Sequence, residues 1–339
     1  MMEIDMTQMT NMRLAVEQEL QEIFREFFPV ESNDLRGMLY YHMGWEGTGS
    51  GPEAQGKRIR PLLVLLCGAS AGGDWHRALP AAAAVEIVHN FSLIHDDIED
   101  SSVLRRGRAT VWNQWGSAQA INAGDAMFSL APLALARLEP SLGSSVAMEA
   151  IRILFHTAVQ LTRGQYLDMA FETENQVSIS SYWEMVGGKT ASLLAASAEL
   201  GALCAGADEL LRKGYRTFGW NLGLAFQALD DLLGIWGDEV ELGKSTSSDL
   251  TTGKKTLPVL YGLELQGEFS QRWLAGPISP NEAFQAAQML EKDGAREYTQ
   301  SMADRLTQEA LASLDRVIVD RATGMELQSL AMQLLKRNR

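Results

Sequence analysis

Cysteine is scarce in this sequence, and long uncharged apolar runs are absent. The 339 residues include only Cys67 and Cys204, each within an apolar run, which predicts buried free thiols in a reducing compartment rather than a disulfide. No uncharged run approaches the roughly 18 apolar residues of a membrane span, and the N-terminus lacks an apolar core of signal-peptide length. We therefore expect a cytoplasmic protein without a transmembrane segment.

Positive charge is also in short supply. The formal net charge is −14, which argues against a nucleic-acid partner because phosphate backbones bind to basic surfaces. The basic residues concentrate in three short segments, "GKRIRP" (56–61), "RRGR" (105–108) and "TGKK" (252–255). This distribution predicts local sites for small anionic ligands.

Strand signals are missing as well. No segment alternates apolar and polar residues between turn signals, and long stretches rich in Ala, Leu, Met and Glu favour helix. We predict one all-α domain over residues 1–339, with a Gly-rich loop at about 43–56. The predicted helices cover 1–28, 59–71, 76–100, 117–138, 144–172, 179–205, 208–236, 255–266, 280–292, 294–318 and 324–337.

An acidic motif ends the predicted helix 76–100, in the segment "HDDIEDSSVLRRG" (95–107). Asp96 and Asp100 lie one turn apart on one face, with Asp97 about 100° round the helix. Negative charge at a helix C-terminus opposes the helix dipole, so a bound cation is favoured over a merely solvated acidic end. Carboxylate oxygens suit Mg²⁺, which commonly shares its coordination with substrate phosphates.

A second acidic pair lies in "FQALDDLLGIWGD" (226–238). Asp230 and Asp231 sit on an apolar helix, and Gln227 precedes them by one turn. Two carboxylate-bearing helices facing across a bundle would form a cavity for two or three Mg²⁺ ions and one polyanion.

Basic residues accompany both acidic motifs. Arg105 and Arg106 can hold phosphate in bidentate fashion, and Lys57 and Arg60 offer a second anion site. Thr190 ends "GGKT" (187–190), where two glycines let a helix bend toward a ligand. Three lysines are more often surface residues when taken singly but gain weight beside these motifs: Lys189, Lys244 and Lys254.

The five segments "GKRIRP", "HDDIEDSSVLRRG", "GGKT", "FQALDD" and "GKKTLP", in this order, resemble the trans-isoprenyl diphosphate synthases of the polyprenyl synthetase family. The resemblance covers some 200 residues. It implies an all-α isoprenoid-synthase fold, a single large helical bundle around a deep central cavity, and usually a homodimer. It also implies a Mg²⁺-dependent prenyltransferase that condenses isopentenyl diphosphate with allylic diphosphates.

The resemblance also implies roles for individual residues. Metal ligands would be Asp96, Asp97, Asp100, Asp230 and Asp231. The allylic diphosphate would be held by Arg105, Lys189 and Lys254, with Lys244 close to it. Isopentenyl diphosphate would be held by Lys57, Arg60, His89 and Arg106. Thr190 and Gln227 would line the reacting centre.

Product length is predicted from the residues that precede the first acidic motif. Ser92 lies one turn before Asp96 on the same face and Val88 one turn further, so both would face the growing chain. Phe91, five residues before the motif, resembles the pattern of C20 (geranylgeranyl) synthases, although plain core packing would also explain it. We favour a C20 product, with C15 (farnesyl) next.

One position departs from the family pattern. The second motif usually ends in an aspartate where this chain has Gly234, so we expect one metal ligand fewer and weaker Mg²⁺ binding. Two alternatives remain, a class I terpene cyclase and a non-catalytic regulatory subunit of a prenyl synthase. A cyclase would not need the isopentenyl diphosphate residues, and a regulatory subunit is expected to lose more of the motifs.

Overall fold

The computed structural model describes residues 6–29, 33–174, 176–237 and 248–336, and regular structure within these ranges is almost entirely helical. The helices are α1 (Met6–Phe27), α2 (Asn33–His42), α3 (Pro52–Gln55), α4 (Ile59–Ser70), α5 (Leu79–Glu99), α6 (Val111–Trp115), α7 (Ser117–Ala136), α8 (Glu139–Leu142), α9 (Ser144–Thr173), α10 (Ile179–Val186), α11 (Ser192–Cys204), α12 (Glu209–Trp236), α13 (Ser248–Thr252), α14 (Leu257–Glu264), α15 (Glu268–Leu274), α16 (Ala283–Lys292), α17 (Ala295–Asp315) and α18 (Arg321–Lys336). A 3₁₀ turn spans Trp75–Ala78, and a π-helical turn spans Gly187–Ala191. The predicted all-α class is confirmed.

The differences from the predicted helices are local. A helix predicted over 179–205 is interrupted by the π turn at the two glycines of "GGKT". Short helices such as α2 and α15 were not predicted, because a few turns give too little periodicity to recognise. A two-residue hairpin, β1 (Leu104–Arg105) with β2 (Arg108–Ala109), adds antiparallel pairing directly after the first acidic motif.

The chain divides into two compact units. The first contains residues 1–155, 197–212 and 319–326, and the second contains 156–196, 213–318 and 327–339. In the first unit α5 and α7 pack closely, and the small side chains of residues 81–84 on α5 are fully buried. In the second unit α14, α16 and α17 enclose a core that includes Val259, Phe269 and Leu290. The single-domain prediction stays a prediction.

Both cysteines behave as the sequence predicts. Cys67 and Cys204 are free and buried, and burial raises the pKa of the Cys204 thiol to about 12, so it stays protonated. Among the described helices, none is both long and apolar enough to cross a bilayer. The predicted site residue Lys244 lies outside the described residues.

Candidate active site

The first acidic motif occupies the last turn of α5, in the first unit. Asp96 is partly buried and Asp100, at the C-cap, is exposed, whereas Asp97 is only 2% exposed. The three carboxylates therefore face different surroundings although they are close in sequence.

Asp97 is held by Arg105. The guanidinium Nε donates to both carboxylate oxygens at 2.9 Å, and a terminal nitrogen of the same group donates to Oδ1 at 2.8 Å. Burial raises the pKa of Asp97, and the hydrogen bonds and charge of Arg105 oppose that shift. Such a forked pair fixes the direction of both side chains, so Asp97 positions Arg105 at the start of the hairpin.

Arg106 lies at the hairpin turn, with a positive φ of 51°. Its guanidinium donates to the carbonyl of Ala54 at 2.8 Å and covers Gly56. A Cβ at Gly56 would lie 2.6 Å from the guanidinium carbon, so a side chain there would displace Arg106. The glycine of "GKRIRP" therefore allows this segment and the hairpin to meet.

Arg60 and His89 form the rest of this basic group. A terminal nitrogen of Arg60 lies 3.3 Å from His89 Nε2, while Arg60 Nε is inaccessible and has no hydrogen-bond partner in the described ranges. Burial, together with the charges of Arg60 and Arg106, holds the pKa of His89 well below its ordinary value. His89 is therefore neutral, and its Nε2 can accept a hydrogen bond from the Arg60 guanidinium.

Among the described residues, Arg60 and Arg106 form no ion pair with a carboxylate, whereas two neighbouring arginines do. Arg105 pairs with Asp97, and Arg58 pairs with Glu86 at 2.7 Å and with Glu17 at 3.0 Å. In the same ranges no carboxylate lies within 4.0 Å of the guanidinium of Arg60 or Arg106. The structure thus gathers cationic groups around a neutral imidazole.

Arg58 is a supporting residue that the sequence did not single out. It is 3% exposed and adopts a left-handed conformation at the N-cap of α4. Its ion pairs connect α1, through Glu17, with α5, through Glu86. This fixes the backbone between Lys57, which is exposed, and Arg60.

In the second unit the "GGKT" segment forms its π turn against α9. A Cβ at Gly188 would lie 2.6 Å from the carbonyl oxygen of Gln160, and one at Gly164 would lie 2.1 Å from the Lys189 nitrogen. Only glycine permits this backbone approach. As a result the Lys189 ammonium pairs with Asp168 of α9, a residue that the sequence did not single out.

Asp231 anchors the second acidic motif. Its carboxylate, 2% exposed, accepts hydrogen bonds from the Tyr182 hydroxyl at 2.6 Å, the Leu257 amide at 2.8 Å and Gln227 Nε2 at 2.9 Å. Burial raises its pKa to about 6, although Lys254 and the three hydrogen bonds lower it. Gln227 in turn accepts from the Thr190 hydroxyl at 3.1 Å, so Thr190 and Gln227 are in contact, as a shared reacting centre requires.

Asp230, the neighbouring acid, is exposed. One turn further along α12, the space at Gly234 is taken: a Cβ there would lie 1.9 Å from Asp249 Oδ2. An aspartate at position 234 would therefore clash, since a carboxylate from α13 lies where the side chain of residue 234 would begin. Lys254, just after α13, is exposed and its amide donates to the carbonyl of Asp249 at 2.9 Å.

The predicted chain-length residues line up along α5. Ser92 is 8% exposed and its hydroxyl donates to the His89 carbonyl at 2.8 Å, whereas Val88 is fully buried. Phe91 is partly exposed. Their effect on product length stays a prediction.

The acids do not form a ready-made metal centre in the part of the chain that the structure describes. No group of three His, Cys, Asp or Glu residues there is arranged to hold an ion by itself. The carboxylates of Asp97 and Asp231 already accept several hydrogen bonds, while Asp100 and Asp230 are exposed. The metal and substrate roles of all these residues stay predictions.

Comparison with known proteins identifies the family. The profile described as Polyprenyl synthetase matches residues 50–291. A (2E,6E)-farnesyl diphosphate synthase of Mycobacterium tuberculosis is 40% identical over 314 residues, which cover 89% of this chain and 86% of the relative.

Solved structures agree with this assignment. A geranylgeranyl pyrophosphate synthetase from Pyrococcus horikoshii superimposes with a TM-score of 0.88 at 33% identity, covering 97% of each chain. A geranylgeranyl pyrophosphate synthase from Corynebacterium glutamicum, complexed with isoprenyl diphosphate and magnesium, gives 0.82 at 26% identity, covering 98% of this chain and 99% of the other. The chain belongs to the polyprenyl synthetase family and is a trans-prenyltransferase.

Proposed function

We propose that this protein is a Mg²⁺-dependent prenyltransferase that condenses isopentenyl diphosphate with allylic diphosphates to a short-chain all-trans product. The favoured product is geranylgeranyl diphosphate, with farnesyl diphosphate next. Relatives named for each of these two products match this chain, which supports a short-chain product. The choice between the two lengths rests on the residues along α5.

The observation that carries the proposal is the basic group in the first unit. Arg60 and Arg106 have no carboxylate partner among the described residues, and Arg60 Nε is inaccessible without a hydrogen-bond partner. A donor left in this state is costly unless a ligand pairs with it. A diphosphate supplies the charge and the acceptor oxygens, so we assign isopentenyl diphosphate to Lys57, Arg60, His89 and Arg106.

The acidic residues fit Mg²⁺ by their donor atoms, which are all carboxylate oxygens. We assign direct ligation to Asp96, Asp100 and Asp230 by their places in the two acidic motifs, and a holding role to Asp97 and Asp231, whose carboxylates bind neighbouring residues. When bound, Mg²⁺ supplies positive charge that makes diphosphate a better leaving group. Asp97 then orients Arg105 toward the allylic diphosphate, and Asp231 holds Gln227 and Tyr182 in place.

The remaining residues bind the allylic substrate and need no covalent step on the protein. We assign its diphosphate to Arg105, Lys189 and Lys254, with Lys244 close to it. Cationic groups that face the departing diphosphate stabilise the charge that develops as the C–O bond ionises. The double bond of isopentenyl diphosphate then attacks the allylic cation, and the departing diphosphate accepts the proton that is lost.

A homodimer and a cytoplasmic location stay predictions of the sequence. Of the alternatives, a cyclase has no use for Arg60 and Arg106, which lack a carboxylate partner among the described residues. A regulatory subunit has no need of the hydrogen-bonded chain from Thr190 through Gln227 to Asp231.

The test is a product assay with purified protein. Isopentenyl diphosphate is supplied with C5, C10 or C15 allylic diphosphates, with Mg²⁺ or with excess chelator, and products are identified by mass spectrometry. We expect linear elongation to C20 that stops with chelator and returns when Mg²⁺ is restored. Cyclised hydrocarbon, or no turnover by folded protein, would contradict the proposal.

A further inference from the structure

Arg108, the last residue of "RRGR", is an arginine of the first unit that the proposed function does not use. Each of its three guanidinium nitrogens donates to a backbone carbonyl: Nε to Thr48 at 3.0 Å, one terminal nitrogen to Tyr41 at 2.7 Å and the other to Glu46 at 2.9 Å. The guanidinium also lies 3.9 Å above the centre of the Tyr41 ring. Its donors are thus directed at the end of α2 and at the loop between α2 and α3 (residues 43–51).

This loop passes close to Arg108. Gly47 has a positive φ of 85°, and a Cβ there would lie 2.7 Å from Cδ2 of Tyr41 and 3.5 Å from a terminal nitrogen of Arg108. A side chain at this position would therefore push the Tyr41 ring away from the guanidinium. The Tyr41 hydroxyl donates to the carbonyl of Ala109 at 2.8 Å. Tyr41 thus binds both residues of β2.

The same loop contacts the segment that holds Arg106. A Cβ at Gly44, where φ is 79°, would lie 2.7 Å from the carbonyl carbon of Ala54, so the loop backbone packs directly on α3. The Ala54 carbonyl in turn accepts the hydrogen bond from Arg106. Two routes therefore connect Arg108 with Arg106: the hairpin turn between them, and the loop between α2 and α3.

Arg105 has a separate anchor. It is the register partner of Arg108 across the hairpin, but its guanidinium is held by the forked pair with Asp97 of α5. Loss of the Arg108 side chain should therefore disturb Arg106 more than Arg105. This distinguishes the two substrates, because we assign Arg106 to isopentenyl diphosphate and Arg105 to the allylic diphosphate.

We propose that Arg108 is a positioning residue for isopentenyl diphosphate: it fixes the loop between α2 and α3 against β2 and so holds the Arg106 guanidinium where the diphosphate binds. This rests on the proposed function. All three nitrogens of Arg108 already donate to carbonyls, so it acts on the substrate through its neighbours. Without this side chain the loop loses its charged hydrogen bonds to β2, and Arg106 shifts with it.

The test measures the KM of each substrate separately. Wild type, Arg108→Met and Arg108→Lys are assayed with isopentenyl diphosphate varied at saturating C10 allylic diphosphate, and then with the allylic diphosphate varied. The matched control is Arg272→Met in the second unit, because Arg272 likewise donates to two loop carbonyls, those of Gly276 and Pro277, each at 3.0 Å. Thermal unfolding followed by circular dichroism checks that each variant folds.

We expect the KM for isopentenyl diphosphate to rise about tenfold in Arg108→Met, the scale of one charged hydrogen bond lost to the ligand. The KM for the allylic diphosphate should change much less, and kcat at saturation should stay near the wild-type value. Arg108→Lys should recover part of the affinity, because an ammonium can still donate to some of these carbonyls. Arg272→Met should keep both KM values, whatever stability it loses.

A double variant shows whether Arg108 acts through Arg106. In an Arg106→Met background, adding Arg108→Met should raise the KM for isopentenyl diphosphate little further, because the residue through which it acts is already gone. If Arg108→Met does not fold, Arg108→Lys, alone and in that background, decides by the same criteria. Folded variants with unchanged KM values, an equal rise for both substrates, or additive effects in the double variant would overturn this inference alone. A wild type that condenses nothing would overturn the proposed function and this inference with it.

Discussion

Arg60 and Arg106 of the first unit differ from Lys189 of the second in whether a carboxylate pairs with them. In the first unit, no carboxylate in the described ranges pairs with Arg60 or Arg106. In the second unit, Lys189 is paired with Asp168, and the buried acid Asp231 has three hydrogen-bond donors. The first group is thus prepared for an anion, whereas the second must exchange an internal partner for its ligand.

This difference separates residues that contact ligand from residues that hold others in place. Asp97 and Asp231 belong to the second kind, because their oxygens are occupied by Arg105 and by Tyr182, Gln227 and Leu257. Our proposal assigns Asp96, Asp100 and Asp230 to the first. A motif of adjacent acids therefore divides into two functions that its sequence spacing does not distinguish.

The largest expected effect concerns Asp96. Asp96→Asn removes one charged ligand assigned to the metal while keeping the size of the side chain, so turnover should fall by about 10²–10³-fold. Glu99→Gln is the matched control, since Glu99 is an exposed acid in the same segment with no assigned role. Steady-state rates at saturating Mg²⁺ measure the effect. Near-normal turnover of Asp96→Asn would remove Asp96 from the metal site.

The next effect is a pH dependence of stability carried by Asp231. The pKa of Asp231 is about 6 in the folded protein against 3.8 for an ordinary aspartate, so between these values the folded state binds more protons than the unfolded state. The protonated carboxyl group therefore stabilises the fold fully below pH 3.8, and this stabilisation is lost as the pH rises through 6. The loss in the free energy of unfolding is about 3 kcal/mol, at about 1.36 kcal/mol per unit of pKa shift.

Chemical denaturation of wild type and Asp231→Asn at several pH values checks this. The variant lacks the titration, so its disadvantage relative to wild type should be greatest near pH 4 and shrink toward pH 7. Asp168→Asn is the control, because no comparable burial applies to that carboxylate, which is 23% exposed. A disadvantage that grows with pH would show that the charged form of Asp231 is the stabilised one.

Gly234 gives a smaller effect that bears on the missing aspartate. Gly234→Asp would drive a side chain into Asp249 and add a like charge, so overpacking should lower the free energy of unfolding by about 1–3 kcal/mol. Gly37→Asp, at a helical glycine with nothing within 4 Å of its Cβ position, controls for the change of residue type. A Gly234→Asp variant that is as stable as wild type and needs less Mg²⁺ would contradict the predicted clash. It would show instead that this chain has simply lost one metal-binding carboxylate.

Much of the fold and part of the site could be predicted from sequence. Long helices such as α7 and α12 were found nearly to their ends because many turns repeat the apolar pattern. The motif residues were found because acids and bases cluster within a few positions. Thr190 and Gln227, 37 residues apart, were expected at one centre and do share a hydrogen bond.

The residues that were missed have partners distant in sequence and no local pattern. Asp168 meets Lys189 only because two glycines bring α9 against the π turn, and Asp249 meets Gly234 only because α13 folds back on α12. Each of these contacts depends on how helices pack together, and this cannot be read from the composition or the spacing of neighbouring residues.

Two variants of the basic residues test the comparison of the two units directly. Arg60→Gln removes a cation that has no carboxylate partner among the described residues, so the KM for isopentenyl diphosphate should rise by the full value of a charged hydrogen bond, about 1.5–3 kcal/mol, or roughly ten- to a hundredfold. Arg152→Gln, at an exposed arginine paired with Glu149, should leave that KM unchanged.

Lys189 should behave differently because it starts from an ion pair. Lys189→Gln leaves the Asp168 carboxylate facing the incoming diphosphate, so it combines lost attraction with new repulsion. The double variant Lys189→Gln/Asp168→Asn removes the pair together, and the KM for the allylic diphosphate should then rise only several-fold, since a partly exposed pair is worth up to about 1 kcal/mol. Partial recovery in the double variant is the signature of this exchange. If the double variant is as impaired as Lys189→Gln, Asp168 does not compete with the ligand, and the second unit is as ready for its anion as the first.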